Sequence, residues 1–203
     1  MITENNIGEL QYMEKRYFNR IMIVKEQDQG AYSLDELAKI LSSKDQVLDF
    51  NKVIRPPEHQ DGVFWNDTCF TDEDKKRYGD NNIYDWMSNN WGSRSNCINP
   101  NRFIVGNKLI YTFETLSNPS CKIIKRISKY LYKYSVFLDY YNTDEFGKYC
   151  GTCFYKNDEI IDYNVFENNM IKCLRFKPDS KIFNTSYEYL KYTWGNQIIE
   201  KYL

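Results

Sequence analysis

Two β-prone runs that meet at Gly106-Asn107, and lead through Asn118-Pro119 into a cationic amphipathic stretch, constrain this chain more than any other feature. Arg102-Phe-Ile-Val105 and Lys108-Leu-Ile-Tyr-Thr-Phe-Glu-Thr115 are rich in β-branched and aromatic residues. A Gly-Asn pair between such runs is tight-hairpin chemistry, because its residues accept the positive φ that a two-residue turn demands. Pro119 lacks the N–H that a first helical turn leaves unbonded, so it marks a helix start. From Pro119 to about Lys133, Ile123, Ile124, Ile127, Tyr130 and Leu131 then recur as one apolar stripe.

Reading outward from this β-β-α core gives the rest of the order. Tyr17–Val24 is a β-prone run, and Ser33-Leu-Asp-Glu36 has capping-box spacing ahead of Leu34, Leu37, Ala38 and Leu41 at helical intervals. Between about 44 and 100 the periodicity weakens, which marks an insertion. Inside it, Ile83 to Trp91 carries aromatics at helical spacing and ends at Gly92, a glycine C-cap. Tyr134–Tyr141 and Lys148–Tyr155 read as two strands about a turn at 142–147. The order β-α-(insert)-β-β-α-β-β predicts an α+β protein, a ferredoxin-like split β-α-β sandwich with helices on one face of an antiparallel sheet. Residues 1–161 form that domain. Residues 162–203 form an extension that packs on the core, with a docking helix from Ser186 through Tyr187, Leu190, Trp194 and Ile198.

The 203 residues suffice for a core without staples, and 42% hydrophobic with 17% aromatic content excludes a disordered chain. A formal net charge of -1 gives no global pull toward nucleic acid or anionic lipid, so such binding needs a local patch. The acidic N-terminus lacks an apolar core, and no run of about eighteen apolar residues occurs, so a cytoplasmic protein with no membrane partner is expected. In that reducing compartment the six cysteines are expected as free thiols.

Three elements in order carry a resemblance: Leu48-Asp-Phe-Asn-Lys-Val-Ile-Arg-Pro-Pro57, then Trp86 with Asn90-Trp-Gly-Ser-Arg94, then Tyr111-Thr-Phe-Glu-Thr115 ahead of Asn118-Pro119. Over residues 17 to about 161 the chain resembles the YubB-type ferredoxin-like proteins of plasmids and phages. It departs from them by an N-terminal lead, a longer insert between Pro57 and Ile83, and a C-terminal extension. The resemblance implies the fold and a mobile-element origin, and transfers no catalytic residue.

Few residues combine into chemistry on their own. Cys150-Gly-Thr-Cys153 has the spacing of a redox pair or half a zinc site, yet it falls in a strand, where positions three apart face opposite ways. Cys69, Cys97, Cys121, Cys173 and His59 supply no second close pair, so strand-packing cysteines are the leading reading, ahead of zinc and of redox. His59, the single histidine, follows Pro56-Pro57-Glu58 in a loop without a partner nucleophile. Asp144-Glu145 and Asp158-Glu159 lie in turns, where carboxylates are turn formers before they are acid/base couples. With no phosphate loop, dinucleotide fingerprint or HExxH element, the expectation is no enzyme, no catalytic residue, no metal, no cofactor and no small-molecule substrate.

Two surfaces remain. Lys122, Lys125, Arg126, Lys129 and Lys133 fall opposite the isoleucine stripe, a helix face exposing only cations; it grips phosphates or an acidic protein, or is a solvated face relieved by nearby carboxylates. Tyr134, Tyr140, Tyr141, Tyr149 and Tyr155 crowd the last strands, either under the extension or exposed for recognition. With Trp91 and Arg94, Tyr140 and Tyr141 complete the expected contact residues. The favoured function is a phage or plasmid protein that sterically blocks a host protein or ribonucleoprotein, such as a CRISPR effector. The alternative is a nucleic-acid-binding accessory protein using the basic face of residues 119–133.

Overall fold

The structure, a computed structural model, describes residues 15–25, 32–57, 69–131, 133–143 and 149–167. The expectations for His59, for the tip of the 142–147 turn and for everything beyond residue 167 lie outside these residues. Strand β1 (Arg16–Lys25) is followed by α1 (Leu34–Leu41), α2 (Asp72–Tyr78), α3 (Ile83–Asn90), β2 (Ile98–Val105), β3 (Lys108–Leu116), α4 (Cys121–Tyr130), β4 (Tyr134–Asn142), β5 (Tyr149–Lys156) and β6 (Glu159–Glu167). The strands form one antiparallel sheet in the order β2-β3-β1-β4-β5-β6. The protein is α+β, as expected.

Local chemistry explains most of these boundaries. Ser33 closes a full capping box on α1, its Oγ accepting from Glu36 N while the Glu36 carboxylate accepts from Ser33 N. Gly106, at φ +58°, turns β2 into β3. The start of α4 lies two residues later than Pro119, and the side chain of its N-cap residue Ser120 makes no capping bond to the helix. A buried residue from the central strand anchors this end instead. Asn19 Oδ1 accepts from Ser120 N and Oγ, and Asn19 Nδ2 donates to Thr115 Oγ1, so one amide ties β1, β3 and the head of α4 together.

Two elements escape hydrophobic periodicity. No residue of α2 is fully buried; its Thr71 cap, three acids in its first turn, three cations in its last and Gly79 at φ +78° define it, and half-buried Tyr78 ties its end to Phe70 and the core. The final strand β6 extends the sheet past the expected domain boundary at 161. Its turn is Asn157-Asp158, both at positive φ, a two-residue hairpin without the glycine that usually announces one. Asp158 is therefore the turn former expected, while Glu159 already belongs to a strand.

One sheet face packs on α1, α3 and α4 through Ile21, Ile23, Leu109, Tyr111, Phe113, Val136 and Leu138, with Leu37, Trp86, Ile123, Ile124 and Ile127 from the helices. The other face carries a second buried cluster of Met22, Val24, Ile110, Phe137 and Phe154. Beside it lies a buried ion pair between the cross-strand partners Arg20 and Asp139.

The stretches that carried the family resemblance fold onto one another. Asp49 Oδ1 accepts from Asn96 Nδ2 at 2.7 Å and from Asn51 N at 3.0 Å, while Asn96 Oδ1 accepts from Phe50 N and Cys97 N. Trp91 Nε1 donates to Ile54 O, and the Phe50 ring meets Trp91 and Phe113 edge-on. Gly92, at φ +87°, leaves a β-carbon only 3.1 Å from Lys122 N, so the start of α4 needs a glycine there.

Candidate functional site

The outer face of α4 is a described surface on which charge of one sign gathers. Residues 119–133 contain five cations and no carboxylate in a chain of net charge -1. Ile123, Ile124 and Ile127, at 0–1% exposure, fix the inner face to the sheet. Spacings of three and four then turn Lys122, Arg126 and Lys129 to solvent, with Lys125 and Lys133 half-buried beside them. Lys122 Nζ donates to Ser88 O, and Lys129 lies 3.8 Å from the Asp158 carboxylate. That pair is largely solvated and worth little energetically, so it does not neutralise the face. Among the described residues, no carboxylate lies within ion-pair range of Lys125 or Arg126.

Tyr130 departs from expectation. Assigned by spacing to the apolar stripe, it is 63% exposed, because Leu131 and Ser128 fill the buried side of the last turn. Ser128 Oγ donates to Lys125 O and accepts from Asp158 N, which ties the β5–β6 turn to α4. The phenol stands instead among the cations, one turn beyond Arg126.

The other expected contact residues do not join this face. Trp91 is 1% exposed and inside the core, and Tyr140 and Tyr141 are 8% and 5% exposed on opposite faces of the sheet. Every residue of β4, an interior strand of the sheet, is buried. Arg94 is exposed, but on a separate polar cleft of about 550 Å³ formed with Asp80, Asp85, Asn89 and Asn118. Both carboxylates there have structural partners, Asp80 with Asn89 Nδ2 and Asp85 with Asn82 at the head of α3. The cleft is of mixed charge, Arg94 facing two carboxylates, and borders α4 at Ser88, whose carbonyl accepts from Lys122 Nζ.

Cys150 and Cys153 sit opposite Tyr141 and Leu138 in the β4–β5 register, positions of opposite parity. The Cys153 thiol meets Cys121, the first residue of α4, and Tyr155. The hydrogen bond to Cys153 and burial hold the Cys121 thiol well above its ordinary range, and burial beside Asp49 does the same for Cys97. Both thiols stay protonated at neutral pH and are poor nucleophiles. Among the described residues no three His, Cys, Asp or Glu side chains gather as a metal site, and no helix is long and apolar enough to cross a membrane.

Comparison with models of protein families, with curated proteins and with solved structures finds no match.

Proposed function

We propose that this protein is a polyanion-binding protein that docks nucleic acid on the outer face of α4. One observation carries the reading: Lys122, Lys125, Arg126 and Lys129 lie along a helix anchored to the sheet, with an exposed aromatic ring beside them and, among the described residues, one carboxylate, that of Asp158, in ion-pair range. Lys and Arg on a rigid scaffold neutralise phosphates by releasing counterions, and the ordering cost on binding is confined to their side chains. The host-factor inhibitor reading drew on the family resemblance, the lack of a catalytic constellation and Tyr/Trp-rich and charged surfaces, and the burial of Trp91, Tyr140 and Tyr141 weakens its aromatic part. The first four strands lie in the order β2-β3-β1-β4, with α1 and α4 packed against one face, and this supports a ferredoxin-like sandwich as the scaffold. β5 and β6 extend it.

Charge reversal tests the function. The double variant Lys125→Glu/Lys129→Glu is expected to lose at least about a hundredfold in affinity for DNA or RNA at low salt, while its melting temperature stays within about 2 °C of wild type. Unchanged affinity in a folded double variant rejects the reading.

A further inference from the structure

Resting on that nucleic-acid reading, we infer that the ligand of α4 is a single strand whose bases are unstacked, and that Tyr130 is the platform on which one of them lies. A ring left 63% in water at the end of an otherwise cationic face has little part in the packing of the described residues, where Leu131 and Ser128 are buried in its place. In a duplex, each base presents its π-faces to its neighbours, so an exposed tyrosine gains nothing there. In a single strand, every base offers one, and stacking on an aromatic ring is tolerant of sequence.

The surroundings fit such a strand. Arg126, one turn before Tyr130, and Lys129 beside it flank the ring with cations, and Lys122 and Lys125 continue the charge toward the head of the helix. A helix of 10 residues is about 15 Å long, the reach of a few nucleotides rather than of a groove. At the far end the all-cation face gives way near Lys122 to the mixed-charge cleft of Asp80, Asp85 and Arg94.

The test is fluorescence polarisation of the full chain, at low salt, with a labelled oligonucleotide of about a dozen nucleotides as single strand and as duplex. The single strand is expected to bind at least about tenfold tighter. Tyr130→Ala is expected to weaken single-strand binding by about five- to a hundredfold while Tyr130→Phe retains it, since the ring and not the hydroxyl does the stacking. Equal affinity for both forms, with Tyr130→Ala neutral, overturns the single-strand inference. If Lys125→Glu/Lys129→Glu still abolishes that binding, the polyanion reading survives alone. Binding of neither form removes both.

Discussion

The 48–57 and 90–97 stretches and the outer face of α4 meet at Gly92 but spend their side chains in opposite ways. In the first region Asp49, Phe50, Trp91 and Asn96 turn inward, and their polar atoms find partners within the fold. On α4 the polar atoms of Lys122, Arg126, Lys129 and Tyr130 turn outward, with two weak partners among them. Distinctive sequence therefore lies where the chain is hardest to fold, and plain-looking charge lies where it is available for binding.

This contrast can be broken by measurement. Asn96→Ala strips Asp49 of one of its donors and two backbone N–H groups of their acceptor, and is expected to cost about 3 kcal/mol, read as a fall in melting temperature of about 6–12 °C. Oligonucleotide affinity of the folded fraction should not change. Gly92→Ala is expected to cost about 2 kcal/mol, because positive φ and the approach of Lys122 N both resist a β-carbon. Ser33→Ala removes the cap of α1 and is expected to cost about 1 kcal/mol by chemical denaturation. The Ser33 N–H bond holds the Glu36 carboxyl below its ordinary 4.5, so its stabilisation is present above that value and fades as pH falls through the folded one. Glu36→Gln should thus differ from wild type at neutral pH and converge with it in acid. Smallest of all, Arg126→Ala is expected to move stability by less than about 0.5 kcal/mol while still weakening binding. A large stability loss there would mean that the face is structural.

How much of this could be read from residues alone follows the same division. The hairpin at Gly106, the Ser33 box and the stripe of α4 were legible because each is local chemistry at fixed spacing. Helix α2 was not, since its signals are caps and end charges with no buried face. Nor was β6, whose Asn157-Asp158 turn lacks glycine. The site was half legible. Spacing alone sets the cations opposite Ile123 and Ile127, whereas the exposure of Tyr130, which the same spacing puts in the stripe, is decided by packing at the end of α4. Trp91 and Tyr140 were read as contact residues because aromatic side chains serve cores and interfaces alike, and only long-range packing decides between them.

Binding of the full chain to a single-stranded oligonucleotide across a salt series tests the central claim most directly. If three to five cations of α4 neutralise phosphates, log affinity falls linearly with log salt at a slope between about -2 and about -3.5, and becomes shallower as Lys125 and Lys129 are removed. A salt-independent affinity, or a slope that those substitutions leave untouched, would contradict it.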